Sequence, residues 1–181
     1  MRKQPFEIPY FQELAPSAFS RTAPRPQTFA NGTDFATMQY SGSGQVTAVG
    51  PLNVPIGNIP AGTTTSGCAA ADFAGFPAGN IALVRRGTCT FGTKAANAKA
   101  AGASAIVIFN EGQPGRTDAV AGNLGTPAGI PALGATYQLG ADTVTALSGG
   151  PGPLTASQTS GACGSGVDTA DGASPATQWP T

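Results

Sequence analysis

Apolar residues fall in short runs between turn residues, and the middle of the chain sets two different periods side by side. Ile81-Ala82-Leu83-Val84-Arg85 reads as a short apolar strand. Thr90 is a fair N-cap for a helix over 91–101, with Phe91, Ala95 and Ala98 on one face and Gly102 just past its end. Ala105-Ile106-Val107-Ile108-Phe109 is apolar throughout, as a strand buried on both faces would be. Strand, helix and strand over 81–109 predict one right-handed βαβ unit, with alanines letting the helix sit close to its sheet. Further strands are expected at 129–133 and at 35–40, where polar and apolar residues alternate. Gly42 and Gly44 suggest a turn before a hairpin partner at 45–49. Thr136 could cap a second helix through Leu139, Val144 and Leu147, with Gly140 weakening it by about 1 kcal/mol relative to alanine. From Ser148 onward only Leu154, Val167 and Trp179 are larger apolar anchors, and disorder is the expected state of 148–181. The fold class is α/β and rich in β-structure.

Composition narrows the chemistry. The 181 residues carry nine basic and nine acidic side chains, so no net field draws the chain to nucleic acid or an anionic membrane. With 26 glycines and 16 prolines, many turns joining short strands are favoured over a helical bundle. Histidine is absent, which excludes Ser-His-Asp and Cys-His catalysis and imidazole zinc ligands. The N-terminus has basic residues without an apolar stretch behind them, so no signal peptide is expected, and no run suits a transmembrane helix.

Few motifs survive scrutiny. Gly87-Thr88-Cys89-Thr90-Phe91-Gly92-Thr93-Lys94 imitates a phosphate-binding loop, but Thr93 and Lys94 stand in the reverse of the order that chemistry needs. Gly42-Ser43-Gly44 lacks the third glycine of a dinucleotide fingerprint. Asn31-Gly32-Thr33 fits a glycosylation sequon but reads better as a turn. Serines with Lys94 or Lys99 leave a Ser–Lys dyad open, although no Ser-x-x-Lys occurs. Isolated acids such as Asp34, Asp72, Asp118, Asp142 and Glu111 suit turn-capping or solvation. Three cysteines without histidine are one ligand short of a zinc site. Cys68 and Cys89 flank the first strand of the βαβ unit. A thiol at the helix entrance would be activated, but without Cys-x-x-Cys a structural disulfide is the better reading, leaving Cys163 odd.

The segments Ser66-Gly67-Cys68-Ala69-Ala70-Ala71-Asp72-Phe73 and Asn80 through Arg86-Gly87-Thr88-Cys89-Thr90-Phe91 resemble the protease-associated (PA) domain. Lys94, Ala98, Ala101-Gly102-Ala103, 105–108 and Asn110 continue the likeness. The pattern Arg-Gly-x-Cys-x-Phe, then Lys, Ala-Gly-Ala and an apolar strand ending in Asn is specific. Residues 6–15 and 32–44 are similar to the lead-in of bacterial secreted zinc aminopeptidases, in which a PA domain is inserted near the start of the peptidase domain.

This resemblance implies a swivelling β/β/α fold, a Cys68–Cys89 disulfide and secretion. Arg86, Gly87, Phe91, Lys94, Gly102 and Asn110 become structural motif residues. The expected organisation is a lead-in over 1–44, a PA domain over 45–147 and a tail over 148–181. No catalytic residue, metal ligand or cofactor is assigned. The implied partners are a neighbouring peptidase domain and peptide or protein substrates, with neither nucleic acid nor membrane. The leading function is a non-catalytic lid or docking module of an aminopeptidase-like protein, present here without its peptidase domain. The rivals are a small hydrolase that works without histidine and a stand-alone, receptor-like PA domain. In non-reducing peptide mapping, Cys68 should be linked to Cys89 and Cys163 should remain a thiol. Finding Cys163 joined to either partner would overturn the pairing.

Overall fold

The computed structural model describes residues 18–21, 26–42, 44–47, 59–147 and 154–158. In chain order these contain β1 (Ala18–Arg21), β2 (Gln27–Phe29), β3 (Phe35–Thr37), β4 (Gly44–Thr47), β5 (Ile81–Arg85), α1 (Phe91–Ala100), β6 (Ala105–Phe109), β7 (Ala132–Ala135), α2 (Tyr137–Leu147) and β8 (Leu154–Gln158). A single 3-10 turn at Ala70–Phe73 precedes β5. The strands form two sheets, ordered β2-β1-β8-β4 and β3-β7-β6-β5.

The second sheet is the centre of the molecule. β5, β6 and β7 run parallel, and β3 closes the β7 edge antiparallel. Every residue of β5 and β6 is buried, as their apolar runs require of strands covered on both faces. Ile81 and Leu83 point to one side, into a cluster with Phe19, Phe29, Phe35 and Leu139. Ala82 and Val84 point to the other, against Ala95 and Ala98 of α1. The order is therefore sheet, sheet, helix, which is the expected β/β/α arrangement around a βαβ unit. In the sheet-to-sheet layer Phe19 stacks on Phe29 at 5.1 Å and meets Phe35 edge-on at 5.9 Å. Full burial of each such ring is worth about 1.5–3 kcal/mol.

Helix α1 begins where its cap predicts. The Thr93 amide donates to the Thr90 side-chain oxygen at 3.1 Å, and Gly102 follows the helix with a φ of 82°. Residues Asn31 to Asp34 form the turn read from Asn-Gly, with the Ala30 amide donating to the Asp34 carboxylate at 2.8 Å. Among the described residues, no helix is long and apolar enough to cross a membrane.

Three expectations need correction. The hairpin between 35–40 and 45–49 does not form, because β3 pairs with β7 and β4 pairs with β8 in the other sheet. After β3 the Met38 and Gly42 amides donate to the carbonyls of Ala132 and Ile130, so the chain stays on the β7 side instead of folding back. This detour places Tyr40 in the left-handed region at φ 64°, with half its surface exposed. The strand expected at 129–133 is β7, displaced to Ala132–Ala135, with the Pro131 carbonyl accepting from Ile106 just ahead of it. Finally, the tail is not disordered at Leu154–Gln158, which forms β8 between β1 and β4. Pairing with a strand on each side gives this segment backbone partners despite its composition poor in apolar residues. Residues 148–153 and 159–181, including Cys163, lie outside the described residues.

Gly140 shows why propensity misleads here. A Cβ at this position would collide with the Phe109 ring, so the glycine lets α2 lie directly on β6. Gly140→Ala, a gain of helix propensity on paper, should instead destabilise the protein by about 1–3 kcal/mol in urea unfolding. A stability equal to or above that of the parent chain would show that α2 does not sit this close.

Candidate functional site

The motif residues converge on the carboxyl ends of β5 and β6. The Arg86 amide donates to the Phe109 carbonyl at 2.8 Å, and its guanidinium lies 5.7 Å from the centre of the Phe91 ring. Gly87 passes so close to the Thr64 carbonyl that no Cβ would fit, and the Thr88 amide bonds that same carbonyl at 2.9 Å. Cys68 and Cys89 form the expected disulfide, with Cα atoms 5.7 Å apart. Closing its loop contributes on the order of 3 kcal/mol. Asn110 is buried. Its side-chain amide donates to the Asp118 carbonyl at 2.8 Å, and its oxygen accepts from the Glu111 amide at 3.0 Å. Gly102 lies apart, at the far end of α1.

Three buried charges accompany this cluster. Lys94 is fully buried; its ammonium donates to the Ser66 carbonyl and lies 3.6 Å from the Cys68 sulfur. Desolvation pushes its pKa down from 10.5 to about 8, while the charges of Asp72 and Glu111 pull the other way. Arg85, also fully buried, donates to the Glu111 carbonyl and lies 5.3 Å from the centre of the Tyr137 ring. Glu111 is 1% exposed; its carboxylate accepts from the Gly62 amide at 2.5 Å and pairs with Arg116 at 2.6 Å.

These partners decide what the cluster can do. In an open parallel sheet the carboxyl edge is where ligands usually bind. Here that edge is filled by charged groups committed to backbone and to each other. The arrangement ties loops 59–68 and 110–118 onto the ends of the strands. Among the described residues no three of His, Cys, Asp and Glu gather as a metal site would need. Sequence reasoning missed Arg85 and Glu111: Glu111 was grouped with solvated loop acids, and Arg85 was read only as part of a strand. The available signal was proximity, since Arg85 directly follows the apolar 81–84 run and Glu111 stands two residues after the apolar 105–109 run.

An open concavity lies elsewhere, between the outer side of α1 and the loop after Val120. It is a groove of about 470 Å³ lined by Gly92, Ala96, Lys99, Leu124, Pro127 and Ala128, among others. Gly92 touches the Leu124 carbonyl closely enough that a side chain there would clash, which seals one end. At the other end the Lys99 ammonium rests over Gly129. The Ala128 amide donates to the Tyr40 carbonyl at 3.0 Å, so the loop is anchored on the strained Tyr40 turn. None of the sequence motifs pointed to this groove, because its walls are small residues without a chemical signature.

Comparison with known proteins adds the following. Residues 47–143 match the PA domain family. An aminopeptidase of Pseudomonas aeruginosa is 42% identical over 142 residues, which are 76% of this chain and 26% of that protein. The chain thus spans about a quarter of the length of this curated relative. The solved aminopeptidase of Aneurinibacillus sp. strain AM-1 superposes with a TM-score of 0.60 at 24% identity, covering 82% of this chain and 31% of that one. A zinc aminopeptidase from Bacillus subtilis gives a TM-score of 0.54 at 26% identity, covering 78% and 30%.

The buried Lys94 makes a pH signature. Its folded pKa, about 8, lies below the ordinary 10.5, so between these values the unfolded chain binds more protons than the folded one. Stability should therefore rise with pH across that window, and the Lys94 contribution should be flat below pH 8. Urea unfolding with Cys163 alkylated, compared with Lys94→Met, should show this rise only in the parent chain. A constant difference between the two from pH 7 to 10 would mean the ammonium is solvated in the fold.

Proposed function

This chain belongs to the PA domain family, and on that premise we propose that it is the non-catalytic accessory module of a secreted aminopeptidase-like protein. It works beside a peptidase domain, where it influences which peptides reach the active site. The observation that carries this reading is the pairing of β4 with β8. Thr47 stands opposite Thr155 in that antiparallel ladder, so the chain leaves through one strand and returns through its neighbour. A segment that leaves and re-enters through adjacent strands can be inserted into a larger fold with little disturbance. β1, β2, β4 and β8 then belong to the edge from which the module projects.

The chemistry of the segment supports the same role. Lys94 and Glu111, the buried groups that could otherwise act as acid or base, are held by the Ser66 carbonyl, the Gly62 amide and Arg116. With sparse and balanced charge, long-range steering is a weak mechanism, so shape and short-range contacts must carry any selection.

The test uses an intact aminopeptidase relative. The residues equivalent to 48–153 are replaced by Asn-Gly to close the β4–β8 hairpin, and those equivalent to Phe19, Phe29 and Phe35 by Thr to suit the surface left uncovered. In a variant shown to be folded by circular dichroism, kcat/KM for long peptides should change several-fold more than kcat/KM for a leucyl anilide. Equal changes for both substrates would make the module a scaffold without part in selection.

A further inference from the structure

The groove beside α1 has a polarity that identifies its occupant. Its walls are small or apolar, and Lys99 is the one charged residue lining it. Among the described residues the Lys99 ammonium has neither an ion pair nor a hydrogen-bond partner, whereas the buried cations on the other side of the domain all have partners. Its Nζ lies beside Gly129, in the space that a side chain at that position would occupy.

The dimensions follow from the helix. Gly92, sealed against Leu124, and Lys99 are seven residues apart on α1, or about 10 Å along its axis. An extended chain rises about 3.3 Å per residue, so about three residues fit between the two ends. An uncharged channel with one cation at one end complements a ligand that carries a negative charge at one end only.

We propose that the groove binds the last three residues of a peptide, with the terminal carboxylate on Lys99 and apolar side chains against Ala96, Leu124 and Pro127. The proposal rests on the accessory-module reading. An aminopeptidase takes the amino terminus of its substrate into the catalytic centre, so the carboxyl end trails outside and is the part a neighbouring domain can hold. Short peptides would then be those whose two ends engage both domains at once.

The test is direct binding to the 181-residue chain, followed by amide chemical shifts in solution. Three probes are compared: acetyl-Ala-Leu-Leu as the free acid, the same peptide as its C-terminal amide, and acetyl-Asp-Leu-Leu amide. The free acid should shift the resonances of Ala96, Lys99, Thr126 and Ala128. Both amides should bind about fivefold more weakly, the scale of one partly exposed ion pair. Lys99→Gln, at an exposed helix position, should leave the fold intact and abolish the preference for the free acid. Equal binding of acid and amide, preference for the aspartyl probe, shifts confined to another face, or no binding would each overturn the proposal. These outcomes are separable from the deletion experiment. Length-dependent kinetics without groove binding would keep the accessory role and remove this site, and groove binding without a kinetic effect would do the reverse.

Discussion

Everything in this structure follows from the need to cover both faces of the β5–β6 pair. All ten residues of these strands are buried, so neither face of their sheet can meet water. One face is closed by α1, whose Ala95 and Ala98 bring the helix backbone close. The other is closed by Phe19 and Phe29 from the β2-β1-β8-β4 sheet and by Leu139 of α2. A lone βαβ unit would leave apolar surface exposed on one side, and the other sheet removes it. That sheet is assembled from β1, β2, β4 and β8, which come from both ends of the chain. Long-range closure, more than local propensity, holds the domain together.

Covering the sheet creates a second problem at its carboxyl edge, where loops and strand ends bring polar groups into the interior. Burying an ion without partners is prohibitive. Arg85, Lys94 and Glu111 each meet backbone groups, and Glu111 also meets Arg116. The disulfide and the Lys94 contact act on the same loop, since the ammonium holds Ser66 while Cys68 is tied to Cys89. Asn97 adds a third tie to this loop by donating to the Gly67 carbonyl at 3.1 Å. The edge used for ligands in many α/β proteins is thereby spent on architecture. The open groove lies instead on the outer side of α1, beside the loop anchored on Tyr40.

That placement suits the inserted module proposed above. A domain that enters and leaves through adjacent strands is fixed at one end and presents its far surfaces to whatever lies beside it. The groove, the strained Tyr40 turn and the loop between them are joined by the hydrogen bond from Ala128 to Tyr40. A strained, exposed aromatic residue is an unusual feature for a turn that only connects strands. Its carbonyl positions the loop that forms one wall of the groove.

The sequence alone determined the local elements wherever one residue or one period carries the signal. Thr90 capped α1 because its oxygen suits an unpaired helix amide, and the apolar run at 105–109 demanded burial on both faces. The Cys68–Cys89 pairing and the PA likeness were legible for the same reason, since their residues lie close together in the chain. Partner choice was not legible. Nothing local in 35–49 says that β3 will pair with β7 and β4 with β8, and nothing in Leu154-Thr155-Ala156-Ser157-Gln158 marks a central strand. Such pairings are set by which edges remain open once the βαβ unit has formed. The same holds for Glu111, which reads as an ordinary loop acid until Gly62 and Arg116 converge on it from other segments, and for Gly140, whose value lies in the Phe109 ring beneath it. Only the tertiary structure could decide these, because each depends on contacts between residues far apart in sequence.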